Sequence, residues 1–332
     1  MFLNNLTFIL LILFVSVFAT HGSHFDGGTI NYEVVGTNGS KLIVRITQSY
    51  TYVYSKIYCN NTYIANQWDL ILSPYGDATA TLSCTAYCST DGGYTPIPVA
   101  SKCTDYSVGM GITVGQRTDD IALDNGSYFV ISNQGSAFRT LNLPGSGGSS
   151  LDWSISTLID LRIRPDGTYN TPPKATMISP VYIPVGIQQT ISIPTIDADN
   201  DNVRCRFANG SNECGSVCPP SSLPTGTTIS KNCTLTITGT TAGDWYAVAL
   251  QVKNNSVYGF SHLQFFLYIY IRRKILPIQQ LPHLIVQFLF NFSSMSMRSP
   301  HALNDPTYMV QLPRVHVSVY KSEFHIHSIC TQ

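Results

Sequence analysis

Thr29-Ile30-Asn31-Tyr32-Glu33-Val34, then Thr37-Asn38-Gly39-Ser40, then Leu42-Ile43-Val44-Arg45-Ile46 is the stretch that decides the fold. Ile30, Tyr32 and Val34 alternate with polar neighbours, and Leu42, Val44 and Ile46 resume the alternation after the break. Period two on both sides of an Asn-Gly predicts a β-hairpin, because that pair tolerates the positive φ angles of a type I′ turn. Working outward, short strand-like runs recur at 68–72, 109–114, 128–131 and 154–163, separated by Gly, Asp and Asn. No stretch carries a sustained 3.6-residue apolar period with caps. The expected class is all-β.

The chain divides in two by composition. An N-terminal β domain is expected over 24–163, with Gly145-Ser146-Gly147-Gly148-Ser149-Ser150 as a flexible loop inside it. Arg164-Pro165-Asp166-Gly167-Thr168-Tyr169-Asn170-Thr171-Pro172-Pro173 reads as a stiff Pro/Gly linker. A second unit follows over 174–260, where Tyr246, Val248, Leu250 and Val252 fall on one face of a strand. A tyrosine opening a late strand just after Gly243-Asp244 resembles the tyrosine corner of Ig-like sandwiches, so a β-sandwich of about seven strands is expected here.

The segment 261–332 breaks the pattern. Phe265-Phe266-Leu267-Tyr268-Ile269-Tyr270-Ile271 is followed by Arg272-Arg273-Lys274. A basic flank suits a membrane anchor, but the run is far short of the ~20 apolar residues a span needs. A mispredicted insert is the preferred reading, with the sandwich's last strand displaced to about 284–290 and the anchor kept as the alternative.

The nine cysteines fall in two even sets and a remainder. Cys59, Cys84, Cys88 and Cys103 form the first, Cys205, Cys214, Cys218 and Cys233 the second, and Cys330 stands alone in the tail. An apolar run from Phe8 to Phe18, with Val17 and Ala19 placed for cleavage before Thr20, reads as a signal peptide over 1–19 despite the lack of a preceding Lys or Arg. Even cysteine sets behind a leader read as disulfides of a secreted, extracellular protein rather than as metal knuckles. Four cysteines allow three pairings per set, and spacing does not choose among them.

Charged residues make up only 11% of the chain and the formal net charge is zero, which excludes an electrostatic nucleic-acid binder. Solubility is expected from glycosylation instead, since Asn38, Asn60, Asn125, Asn209, Asn232, Asn254 and Asn291 each head an Asn-x-Ser/Thr triplet. No histidine lies between Phe25 and Ser261, so neither a Ser/His/Asp nor a Cys/His catalytic set can be built in the two units.

Asp197, Asp199 and Asp201 are the best metal candidates, because alternate carboxylates on a turn can converge on a structural Ca²⁺. A solvated turn without metal is the plainer reading, since Asp and Asn favour turns through their own backbone hydrogen bonds. Tyr50, Tyr52 and Tyr54 share one strand face and offer a row of rings for a sugar or a protein. Ordinary cross-strand packing is the favoured alternative for them. Asp119 and Asp120 are adjacent, a poor geometry for a glycosidase pair.

Several segments resemble an uncharacterised family of secreted invertebrate (rotifer-type) ectodomain proteins. They are His24-Phe25-Asp26-Gly27-Gly28-Thr29-Ile30, Gly93-Tyr94-Thr95-Pro96-Ile97, Trp153-Ser154-Ile155-Ser156-Thr157, Arg164-Pro165-Asp166-Gly167 and Asn170-Thr171-Pro172-Pro173. Asp197-Ala198-Asp199-Asn200-Asp201, Cys214-Gly215-Ser216-Val217-Cys218-Pro219-Pro220 and Gly243-Asp244-Trp245-Tyr246-Ala247-Val248 complete the set, which spans about 24–255. The second unit is also similar to cadherin-like and Ig-like repeats. The resemblance implies a cell-surface or matrix role and brings no catalytic residue; the chain departs from the pattern after Ser261. The expectation is a non-enzymatic binding or adhesion module whose partner is an extracellular protein or glycan. A matrix or coat component is the alternative, and a carboxylate-dependent secreted glycosidase the third class.

Overall fold

The computed structural model describes residues 24–72, 79–136, 138–143, 146–148, 151–175, 179–254, 262–272, 317–320 and 323–326. The chain forms two units, Met1–Lys274 and Ile275–Gln332. The second is described only through an antiparallel hairpin of Val317–Tyr320 with Glu323–Ile326. The first is built from β-strands with two short α-helices, Asn61–Ala65 and Ser211–Cys214, and is all-β as expected.

The deciding hairpin forms. Phe25–Asn38 pairs antiparallel with Lys41–Val53 from Phe25↔Tyr52 to Asn38↔Lys41, with a register shift between Val34 and Gly36. The turn residues are Gly39 and Ser40, and only Gly39 has positive φ (62°). That is the pattern of a type II′ turn, one residue later than the Asn-Gly reading placed it. Every second residue of Lys41–Val53 is buried, from Leu42 to Tyr52, as period two requires when one sheet face meets a core.

The hairpin lies in a twelve-stranded sheet. Its main path runs Ile97–Pro98, Thr81–Ala86, Tyr128–Ser136, Asp152–Asp160, His262–Arg272, Phe25–Asn38, Lys41–Val53, Ile112–Asp124 and Lys102–Ser107. The segment 68–72 is not a strand and contributes only an isolated bridge, Asp69↔Lys102. Within the supposed flexible loop, Ser146–Gly148 pairs with Leu141–Leu143.

The position of His262–Arg272 corrects the reading of the tail. This strand pairs along its length with Trp245–Asn254, runs parallel to Val181–Pro184, and touches Phe25–Asn38 at Thr29↔Phe265 and Asp152–Asp160 at Thr157↔Leu263. Among the described residues it is the last strand of the second half; residues 284–290, where a displaced strand was expected, Cys330 and the expected leader 1–19 lie outside the described residues. A run apolar at successive positions suits a strand enclosed on both faces as well as it suits a membrane. Ile269 and Ile271 are fully buried, and the Arg272 guanidinium lies 4.1 Å over the Tyr182 ring.

Two cores meet on one strand. In Trp245–Asn254, Tyr246, Val248, Leu250 and Val252 point into the second core, as period two predicts, while Ala247 and Ala249 belong to the first. Large apolar side chains fill one sheet face, and on the other Ala247 and Ala249 let the N-terminal half pack closely beside Trp245. The boundary segment is correspondingly not a loose linker. Arg164, Asn170, Pro172 and Pro173 are buried, and Arg164 N–H donates to the Thr168 carbonyl across a tight turn.

Each cysteine set pairs within itself, first with last and second with third. The bridges are Cys59–Cys103, Cys84–Cys88, Cys205–Cys233 and Cys214–Cys218. The outer bridges close chain separations of 44 and 28, against 4 for the inner ones. On chain-entropy grounds they carry most of the ~2–4 kcal/mol typical of a bridge.

Candidate functional site

The tyrosine row does not face solvent. Tyr50 is 0% and Tyr52 4% exposed, with Tyr50 Oη donating to Gln48 Oε1 at 2.8 Å. Their side of the strand is the side that Leu42, Val44 and Ile46 bury, so the row carries core packing, and burial pushes both phenols up well beyond their ordinary range. Only Tyr54, past the end of the strand, reaches the surface.

Tyr54 is instead the first ring of a different aromatic surface. The rings of Tyr54 and Tyr106 stack at 5.9 Å between centroids, and Tyr54 meets Tyr58 at 5.5 Å. Tyr58 meets Tyr63 edge-on at 6.0 Å, and Tyr63 meets Trp68 edge-on at 5.3 Å. Tyr58 and Trp68 are each 50% exposed.

Local sequence explains how the surface is held. Ile57, Cys59 and Leu70 plunge into the core, and the Cys59–Cys103 bridge ties the segment to the edge strand Lys102–Ser107. Asn60, in an extended conformation, caps the helix Asn61–Ala65 by accepting the Tyr63 N–H on Oδ1 at 3.0 Å. Gln67 then takes positive φ (54°) and turns the chain back, so that Trp68 N–H donates to the Tyr63 carbonyl at 3.0 Å. Anchored aromatic rings, two of them half exposed, form a preorganised surface able to stack on the apolar faces of sugar rings. The available signal in the sequence was the density of rings, four between 54 and 68, at spacings that fit no strand.

The acidic turn is brought together, with ligand oxygens of Asp197, Asp199 and Asp201 within 4.8 Å of one another. Their lone pairs are largely spoken for. The Arg164 guanidinium donates to Asp201 Oδ2 at 2.5 Å and lies 3.2 Å from Asp199 Oδ2. Thr171 donates its N–H and hydroxyl to Asp199, at 2.6 and 3.2 Å. Asp197 Oδ1 accepts the N–H groups of Asp199 and Asp201, both at 3.0 Å, and burial pushes its pKa up. An arginine seated among the carboxylates supplies the positive charge that a cation would bring, so the set fits Ca²⁺ poorly. It fastens residues 164–171 to the turn.

Asn254 completes this clamp, which corrects its reading as a glycosylation site. It is 0% exposed, and its Nδ2 contacts Asp197 Oδ2 and Asp201 Oδ2 at 3.1 Å and the Thr171 carbonyl at 3.2 Å. A buried amide nitrogen so committed has no room for a sugar. Asn38, Asn125, Asn209 and Asn232 are exposed and Asn60 is half-buried, whereas Asn291 lies outside the described residues.

A cleft of about 600 Å³ lies where the Ser211–Cys214 helix meets the Tyr128–Ser136 and Asp152–Asp160 strands, lined by Gln134, Asp152, Trp153, Asn212 and Ser216 among others. Several of its polar groups serve the packing of that loop: Ser216 N–H donates to the Asp152 carbonyl at 3.0 Å, and Ser154 Oγ to the Asn212 carbonyl at 2.6 Å. Among the described residues, no helix is long and apolar enough to cross a membrane. With four disulfides, the chain is consistent with an extracellular protein. No protein-family model matches the chain, and no curated protein matches it.

Proposed function

We propose that the protein is a secreted or cell-surface recognition module that binds an uncharged extracellular glycan by ring stacking and performs no catalysis. The observation that carries this reading is Trp68, half exposed and braced edge-on by Tyr63, on a segment pinned by the Cys59–Cys103 bridge. The chain's zero net charge suits a neutral ligand. The carboxylates Asp26, Asp119, Asp120 and Asp160 are each paired with an arginine, which speaks against a glycosidase pair among them.

The second half supports an Ig-like or cadherin-like assignment by its strand order. One layer runs Val181–Pro184, His262–Arg272, Trp245–Asn254 and Val203–Phe207, and the other Gln189–Ser192, Thr234–Ile237 and Thr228–Ile229. Such sandwiches commonly serve as cell-surface modules, in keeping with the adhesion role that the family resemblance implies.

The test is a neutral oligosaccharide panel probed with the full chain, followed by titration of any hit against Trp68→Ala. Saturable binding weakened about tenfold or more, with Tm unchanged, is the expected result, since a lost stacking contact near 1.4 kcal/mol is one decade in Kd. Absence of saturable binding across the panel, or binding indifferent to Trp68, overturns the reading and favours a matrix or coat component.

A further inference from the structure

Tyr58-Cys59-Asn60-Asn61-Thr62 places a half-exposed ring two residues before a sequon asparagine. The intervening Cys59 is fully buried in its disulfide, so Tyr58 and Asn60 emerge together on the outer side. Asn60 Oδ1 is fixed by capping the Tyr63 N–H, which sets the plane of the amide, and Nδ2 then donates to Tyr58 Oη at 3.1 Å. The nitrogen to which a sugar would be joined is therefore held at the Tyr58 hydroxyl, within reach of that ring. N-linkage replaces one of its two hydrogens and leaves Oδ1, and hence the helix cap, intact. Phe207 precedes Asn209 by the same spacing, but that ring packs against the second core.

We propose that Asn60 carries an N-linked glycan whose first sugar lies on the Tyr58 ring, so that the protein covers the middle of its aromatic surface with its own carbohydrate. This rests on the extracellular reading above. Transfer takes place as the chain enters the secretory lumen. Asn60 Nδ2 displaces the diphosphate at C1 of a polyprenyl-diphosphate-linked oligosaccharide; the N–C1 bond forms, the C1–O bond breaks, the lipid diphosphate leaves and the amide loses one proton. Once the chain has folded, Tyr58 offers the N-acetylglucosamine an apolar face, while Trp68 stays exposed for an external ligand.

The experiment expresses the full chain in glycosylating eukaryotic cells and maps glycopeptides by mass spectrometry. The glycans are then trimmed enzymatically to the first N-acetylglucosamine, and Tm is compared with that of Thr62→Ala, which destroys the sequon and keeps the Asn60 cap. A modified Asn60 is expected, with Tm higher by about 1–2 °C in the trimmed protein, the shift that a ~1 kcal/mol contact produces at this size. That difference should vanish in a Tyr58→Ala background and persist in Tyr58→Phe, which keeps the ring face. A bare Asn60 in protein whose other sequons are modified overturns the inference and leaves the proposed recognition role standing. A Tm difference indifferent to Tyr58 also overturns it. A chain that is never exported sinks both.

Discussion

Asn254 and Asp197, 57 positions apart in sequence, are joined by a 3.1 Å hydrogen bond from the asparagine amide to the buried carboxylate. The same amide serves Asp201 Oδ2 and the Thr171 carbonyl, so one side chain at the end of the central strand gathers the turn and the boundary segment. Asn254→Ala is expected to destabilise the protein by ~1–3 kcal/mol, because several acceptors lose their donor at once inside the fold. Denaturant unfolding measures this, and mass spectrometry of the exported protein should find Asn254 unmodified.

Arg164 decides the charge balance of that cluster. Its side chain is 9% exposed, and it neutralises Asp199 and Asp201. Arg164→Met should cost up to ~3–5 kcal/mol, as stranded buried charges do, and less to the extent that water reaches the two aspartates. With the arginine in place, millimolar Ca²⁺ should leave the wild-type Tm unchanged relative to a chelator. In Arg164→Met the carboxylates are released, and Ca²⁺ should recover part of the loss. A Ca²⁺-dependent rise of several degrees in the wild type would show that the cluster is a metal site after all.

Asp26 makes a separate prediction about pH. It is 1% exposed and held by two 2.8 Å hydrogen bonds from Arg139, whose guanidinium also lies 4.0 Å over the Trp245 ring. Burial pushes its pKa up to about 6, with Arg139 pulling the other way. The unfolded value is ~3.9, so between about pH 4 and 6 the native state keeps a proton that the unfolded chain has released. Stability from this group is therefore full below pH 4 and falls as pH rises to 6, by an upper bound of roughly 3 kcal/mol. Burial raises Asp197 too, in the same direction, so the reading must be a difference between variants. Urea midpoints at pH 4.5 and pH 7 should differ less in Asp26→Asn than in the wild type, and equal differences would refute the assignment.

What sequence could show followed from how local each signal was. The hairpin and the inward face of 246–252 were legible because period two acts between neighbours. The cysteine sets were legible because the spacing between them exceeds the spacing within them, although the first-with-last pairing needed the fold. Arg164 with Asp201, and Asn254 with Asp197, were invisible: each partner had an adequate local reading, as linker, turn or sequon. The tyrosines show the same limit in reverse. Period two put Tyr50 and Tyr52 on one face, but only the strand's neighbours decide which face is buried. The exposed aromatic cluster came from Tyr58 and Trp68 on irregular backbone and Tyr63 on a five-residue helix, all too short to carry a readable period.

The apolar run 265–271 gives the sharpest structural test, because its two readings demand opposite outcomes from truncation. As a foreign insert it would be dispensable, and a chain ending at residue 260 would keep both halves. As the strand His262–Arg272 it pairs with Trp245–Asn254 through nine register positions, with Val181–Pro184 through four, and bridges to both Phe25–Asn38 and Asp152–Asp160. Its removal would bare the edge of Trp245–Asn254 and strip Ile269 and Ile271 from the second core, at about 1.5–3 kcal/mol for each buried side chain. Against a typical total stability of 5–15 kcal/mol, that loss and the broken ladder should leave the second half unfolded. A chain ending at Lys274, the limit of the first unit, should fold with a cooperative transition. The comparison needs only circular dichroism and thermal unfolding of the two truncations. A cooperative transition in the chain ending at 260 would mean that His262–Arg272 is not part of the fold.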